Sequence, residues 1–278
     1  MNEPRQNLRV IRVVAVGWLL GWFIKIPFYA PYLLDLTQRY PLEHPLFPVF
    51  FEHPAVSQFG YFLPLIFFPA LLSSNPAVYR GMAVAMGACS LILLGHINTC
   101  NDATFVTSFW TALWMSWFAW NMRRQDENFR WHACFLAQCL VGMIFLGGTL
   151  GKLTPEYWRG EVFYDIFSQR VRQWPFGEFF KTMGAAQQYL VLGGISKAVI
   201  GVEALLALAP LWPARLVCRW APPLLLVVTF FSTWRILSVL SCLMALLWSC
   251  LALMPEEKPA ASGRFFFKAQ RIRSWFKK

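Results

Sequence analysis

The chain is divided by long apolar segments that each approach the length of a membrane-spanning helix. A helix needs about 20 predominantly apolar residues to cross a bilayer. Inside lipid the backbone must satisfy its own hydrogen bonds, which a helix does. We therefore expect an all-α, polytopic transmembrane helical bundle of about eight spans. The expected spans are Leu8–Tyr29, Val56–Leu72, Val78–Ile97, a fourth ending near Trp120, Trp131–Leu150, Tyr189–Leu208, Ala221–Thr233 and Ile236–Met254.

The composition excludes an ordinary soluble protein. Of the 278 residues, 57% are hydrophobic and 14% are charged, whereas soluble domains carry about 25% charged residues. Residues 1–254 are expected to form one membrane domain. Residues 255–278 mix basic and aromatic side chains, which predicts an amphipathic tail on the anionic cytoplasmic leaflet.

The net charge of +11 is distributed between and after the apolar spans. Basic residues placed in this way are topology determinants and contacts to membrane lipid, so no nucleic-acid partner is expected. By the positive-inside rule, both termini are predicted to be cytoplasmic.

The seven cysteines include no CxxC pair, and most lie inside apolar spans. This pattern argues against a disulfide framework and against a thiol-redox motif. His44 and His53 share a proline-rich loop without metal-site spacing, so no metal site is expected.

One stretch, Phe145–Phe167, carries a lysine at the end of an apolar helix. It reads FLGGTLGKLTPEYWRGEVFYDIF. Gly147 and Gly151 are four apart, which predicts close approach of a neighbouring helix. Lys152 follows, and Pro155 ends the helix soon afterwards.

A lysine in apolar surroundings loses its proton more easily, so Lys152 is a candidate general base. Trp158, Arg159 and Gly160 follow it as an aromatic and charged cover, and they are candidate substrate-binding residues. The alternative is a lysine that extends its ammonium to the membrane surface, which is common and needs no catalytic role. Lys25, near the far end of the first span, is expected to extend outward in this way.

A second polar group precedes the fourth span in the string GHINTCNDATF. Asn101 or Asp102 could cap the following helix. Alternatively, His96, Asn98, Asn101 and Asp102 could line a cavity near the outer surface. His96 is a candidate catalytic residue, and the other three are candidate substrate-binding residues.

The span Tyr189–Leu208 contains Lys197 and Glu203, which should face the bundle interior because each is costly in lipid. They are six apart, on different helix faces, so a direct pair between them is not expected. Glu203 is a third candidate catalytic residue. Its alternative role is an interhelical hydrogen bond or a structural ion pair, either to Lys197 of a neighbouring layer or to Arg235.

The string around Lys152 resembles the signature of the vitamin K-dependent gamma-carboxylase family and its bacterial relatives, often called HTTM-domain proteins. Lys152, Leu153, Trp158 and Gly160 fit that signature in order. The resemblance implies a bacterial inner-membrane protein whose Lys152 deprotonates a vitamin K-like hydroquinone or another quinone. It also implies carboxylase/epoxidase-like or quinone-linked lyase or oxidoreductase chemistry. Unlike the carboxylases, the late span has no histidine in 228–235.

Two other functions remain open. A non-catalytic membrane partner would assist maturation, export or immunity of a secreted peptide. A DoxX-like quinone-linked oxidoreductase subunit would need a redox partner protein.

Overall fold

The computed structural model describes residues 3–35, 41–42, 45–96, 103–123, 127–169, 177–231 and 237–254. Every regular element in these ranges is helical. The α-helices are α1 Glu3–Leu33, α2 Pro54–Phe62, α3 Pro76–Leu94, α4 Ala103–Asn121, α5 Glu127–Gly151, α6 Pro155–Arg159, α7 Glu161–Gln169, α8 Gly177–Lys181, α9 Ala185–Ala207, α10 Ala214–Phe231 and α11 Leu237–Leu253. Short 3₁₀ segments occupy Val49–Glu52, Leu63–Leu72 and Ala209–Leu211.

The expected all-α class is confirmed, and each expected span contains a helix. Five helical segments in the described ranges are long and apolar enough to cross a membrane. They are Gln6–Pro27, Pro54–Leu72, Pro76–Leu94, Asn128–Gly151 and Ala185–Ala207, with a shorter apolar helix at Leu240–Leu253. The second of these changes from α-helix to 3₁₀ geometry at Leu63, where Pro64 and Pro69 lack the amide hydrogens that an α-helix uses.

The centre of the bundle is α11, which packs against α1, α4, α5 and α10. Its side chains are buried around most of the circumference, as expected of a helix surrounded by other helices. Close contact with α1 depends on Gly17, because a Cβ atom there would overlap the Ala245 side chain and lie 2.8 Å from the Ser241 carbonyl oxygen. Gly17 and Gly21 are four apart in the sequence, a spacing that predicts close packing of a neighbouring helix, and the contact at Gly17 confirms it for that residue.

Aromatic side chains join α1 to α2 and α4. The Trp22 indole donates a hydrogen bond to the Tyr61 carbonyl at 2.7 Å, and its ring lies 5.3 Å from that of Phe105. Lys25 is on the same side of α1 as Trp22 and Tyr29, at helical spacing. It is only 6% exposed, so the expectation that it extends outward is wrong.

The helices α5 and α9 pack against each other and run in antiparallel directions. A Cβ on Gly142 of α5 would lie 2.8 Å from Pro210 Cδ, just after α9, so the two segments are in close contact. Towards the other end of α9, the short helices α6 and α7 pack across it. Phe180 and Leu192 form a small separate apolar cluster there with Phe163, Tyr164, Met183 and Ile195.

Candidate functional site

A short turn between α5 and α6 places Lys152 at the end of an apolar helix. The Lys152 amide donates to the Thr149 carbonyl at 3.0 Å, which tightens the last turn of α5. Thr154 then caps α6 by accepting from the Tyr157 amide at 3.4 Å, and Pro155 occupies the first helical position. The chain therefore stops one helix and starts another within three residues of the lysine.

Lys152 and Glu203, which are 51 positions apart, form an ion pair. Lys152 Nζ lies 2.8 Å from Glu203 Oε2 and 2.9 Å from Glu203 Oε1, so the ammonium contacts both carboxylate oxygens. The side chains are 22% and 16% exposed, respectively. The pair is therefore shielded on most sides but is still reachable from one direction.

Gly148 contacts both members of this pair from α5. Its carbonyl oxygen accepts from Lys152 Nζ at 3.4 Å, and a Cβ on Gly148 would lie 3.3 Å from Glu203 Oε2. Gly147 and Gly151 are instead exposed, with no atom within 4 Å of a Cβ at either position. The close helix approach predicted at Gly147 and Gly151 is wrong, because the packed face of α5 is rotated by one residue to Gly148.

The helix α6 is fastened over the pair by its contacts with α9. Gly160 ends α6 with φ +83°, and a Cβ there would lie 2.9 Å from Gly193 Cα. The Ser196 hydroxyl donates to the Tyr157 carbonyl. Lys197 Nζ lies 5.6 Å from the centre of the Trp158 ring, within the range of a cation–π contact. Lys197 is exposed, so the expectation that it faces the bundle interior is wrong.

The Tyr157 ring completes the cover on the lysine side. Lys152 Nζ lies 6.0 Å from the ring centre, which is at the outer limit of a cation–π contact. The site thus combines an ammonium donor, a carboxylate acceptor and an aromatic surface. Such a set can transfer a proton and stabilise negative charge that develops on an oxygen of a planar ring.

Outside the apolar helices, Glu156 lies on α6. The pKa of its carboxyl group is lowered, first because the carboxylate accepts from its own backbone amide and second because it accepts from the Thr154 hydroxyl. It remains ionised near neutral pH and adds negative charge to the first turn of α6.

His96 makes its hydrogen bonds to a different part of the chain from the Lys152–Glu203 pair. It is 1% exposed, with Nε2 3.0 Å from the Phe51 carbonyl oxygen and Nδ1 3.3 Å from the Pro41 carbonyl oxygen. The hydrogen bonds of Lys152 go to Glu203 and Gly148. In this structure His96 therefore joins the Pro41 and Phe51 carbonyls to the end of α3.

The predicted substrate-binding residues divide into two groups. Trp158 is half-exposed, the Arg159 side chain is 72% exposed and 3.7 Å from Glu161, and Gly160 is buried by contact with α9. Asn98, Asn101 and Asp102 lie outside the described residues, as do Arg235 and the predicted tail 255–278.

Sequence reasoning selected both members of the pair but did not join them. It also missed Gly148, Tyr157 and Ser196, which support the pair and its cover. Gly148 and Tyr157 lie within the Lys152 string, and Ser196 lies on α9 opposite it. This position is the only signal in the sequence for these three residues. Comparison of the chain with protein-family models, curated proteins and solved structures finds no match.

Proposed function

We propose that this chain is a multi-pass protein of a bacterial inner membrane that acts on a quinol or a vitamin K-like hydroquinone, with Lys152 as the base. The resemblance to the gamma-carboxylase membrane domain motivates the substrate class. The observation that supports the proposal best is the shielded, two-oxygen contact between Lys152 and Glu203.

The residues present are compatible with a planar hydroxylated ring. Tyr157 offers an aromatic face near the ammonium, and the absence of side chains at Gly147 and Gly151 leaves the neighbouring surface of α5 uncovered. A bound hydroquinone would supply a ring hydroxyl whose proton is to be removed.

Glu203 has a defined part in this chemistry. As an ammonium, Lys152 cannot accept a proton, so it must first pass one to the Glu203 carboxylate. Displacement of water by an apolar ligand favours that transfer, because it raises the free energy of both charged groups. The neutral Lys152 amine then accepts the hydroxyl proton, and the new ammonium stands beside the negative charge left on the oxygen.

The charge pattern supports an orientation with both termini in the cytoplasm. In that orientation the end of α5 and its cover face outward. Lys152 would then meet substrates at the outer surface of the membrane.

Turnover by purified protein in nanodiscs tests the proposal. Ubiquinol, menaquinol and vitamin K hydroquinone are supplied separately in air-saturated buffer, with dioxygen as the oxidant of the deprotonated quinol, and their loss above the protein-free rate is followed by chromatography. We expect Lys152→Ala to lower turnover by about 10²-fold or more, as for loss of a general base, and Glu203→Gln to lower it as well. Lys181→Ala is the matched control, since Lys181 is an exposed lysine on α8 that pairs with Glu178 rather than with a residue of the site. Equal turnover by wild type and Lys152→Ala would show that Lys152 is not the base.

A non-catalytic role in handling a secreted peptide is the second candidate. It is favoured by apolar side chains around the cover that remain exposed, including Trp158 at 50%, Phe179 at 64% and Leu190 at 78%. In this case the ion pair only joins two helices. Loss of peptide maturation in Phe179→Ser, together with full activity in Lys152→Met, would favour this candidate over the enzyme.

A further inference from the structure

Three buried thiols lie on α5, α10 and α11, three helices that contact one another. Cys134 lies in the second turn of α5, Cys218 in the second turn of α10 and Cys250 in the last turn of α11. They are at most 3% exposed. All three cysteines are free thiols.

Two of these thiols are in reciprocal contact. Cys134 Sγ donates to the Cys250 carbonyl at 3.5 Å, and Cys250 Sγ donates to the Ala133 carbonyl at 3.9 Å. Each thiol therefore lies against the backbone of the helix that carries the other.

We propose that Cys134 and Cys250 form a binding site for a soft monovalent metal ion, with Cu(I) as the physiological example. Thiol sulfur selects Cu(I) over hard cations. No three His, Cys, Asp or Glu side chains in the described ranges form a ligand group for a metal. A zinc site, which uses three or four protein ligands, is therefore not supported, whereas Cu(I) accepts two sulfur ligands in a linear arrangement.

Charge balance determines how the ion would bind. In apolar surroundings a neutral site is favoured over a charged one. A neutral site forms when Cu(I) binds one thiolate and one thiol, so that one proton is released for each ion bound. Affinity should then rise about tenfold for each unit of increasing pH. This inference is independent of the proposed quinol chemistry.

The test uses the full chain in detergent micelles, without oxygen and with ascorbate. The probe is Cu(I) held by bathocuproine disulfonate, whose colour falls as the protein withdraws the metal. Wild type should withdraw one equivalent. Cys134→Ala and Cys250→Ala should each lose at least about 100-fold in affinity, since even changes outside the ligand shell cost up to about that factor.

Two other buried thiols provide matched controls. Cys89 lies on α3 and is 2% exposed, and Cys242 lies on α11 with its sulfur 3.9 Å from the Gly17 carbonyl oxygen. Cys89→Ala and Cys242→Ala should bind Cu(I) as wild type does. Equal affinity in all variants, or no withdrawal by wild type, would overturn the proposal.

A second measurement avoids any variant that fails to fold. In wild type with one equivalent of Cu(I), X-ray absorption at the copper edge should show two sulfur ligands. A copper environment of nitrogen or oxygen ligands alone would count against the site.

Discussion

Breaking the Lys152–Glu203 pair from one side should destabilise the protein strongly. Removing one partner of a fully buried ion pair costs about 3–5 kcal/mol, because the other charge is left unpaired. Here the side chains are 22% and 16% exposed, so water reaches the remaining charge in part. We therefore expect Lys152→Met and Glu203→Gln each to lower the free energy of unfolding by about 2–3 kcal/mol.

The double variant Lys152→Met/Glu203→Gln should lose much less than the sum of the single losses, because neither member of the charged pair remains. A double-mutant cycle would then give a coupling energy of about 1–3 kcal/mol. The assay is equilibrium unfolding in mixed dodecyl maltoside and sodium dodecyl sulfate micelles, followed by tryptophan fluorescence.

Lys197→Met is the control for loss of a lysine from the same region. Lys197 is exposed and contacts a ring rather than a carboxylate, so it should change the free energy of unfolding by under about 1 kcal/mol. Additive single losses, or losses no larger than that of Lys197→Met, would refute a shielded and coupled pair.

Three other changes test the packing and the cover of the site. Gly160→Ala should lower the free energy of unfolding by more than about 2 kcal/mol, because a side chain is strained at φ +83° and would overlap α9. A melting temperature equal to that of wild type would contradict the left-handed turn. Gly17→Ala should lower the free energy of unfolding by about 1–3 kcal/mol through overlap with Ala245, whereas Gly81→Ala, with no atom within 4 Å, should raise it by about 0.5–1 kcal/mol. Glu156→Gln should be less thermostable than wild type at neutral pH, because the lowered pKa of the carboxyl group means that its ionised form stabilises the fold. The difference in thermostability between wild type and Glu156→Gln should be largest above the ordinary carboxyl pKa and should disappear as the pH falls through the lowered pKa of Glu156. A difference that persists at low pH would show that the ionised carboxylate is not its cause.

The helices were predictable because apolar length and proline placement act locally. The end of α5 at Lys152 followed from Pro155, and close packing at Gly17 followed from its spacing to Gly21. Five membrane-length helices were recovered in the ranges that the structure describes.

The contacts between helices were not predictable from spacing alone. The ion pair joins Lys152 to Glu203 across 51 positions, and nothing in either segment specifies that α5 and α9 are neighbours. Spacing on one helix correctly argued against a direct Lys197–Glu203 pair, but the ion-pair partners predicted for Glu203, Lys197 of a neighbouring layer or Arg235, did not include Lys152. The orientation of a helix also decides which glycine is packed, which is why Gly148 contacts α9 and Gly147 does not.

Lys25 illustrates the same limit. A lysine near the end of a span commonly reaches the membrane surface, yet this side chain is 6% exposed. Its face of α1 also carries Trp22, whose ring packs against α2 and α4. Tertiary packing therefore overrides the local preference.

Photolabelling shows whether a quinol binds beside the Lys152–Glu203 pair. An azidoquinone is bound to wild-type protein in nanodiscs, irradiated, and mapped by mass spectrometry of peptides, with unlabelled quinol as competitor. We expect competed labelling on the segment that contains Lys152 and Tyr157, with loss of the label in Lys152→Ala but not in Lys181→Ala. Labelling confined to other helices, or labelling that excess quinol does not reduce, would contradict binding of the quinol beside the pair.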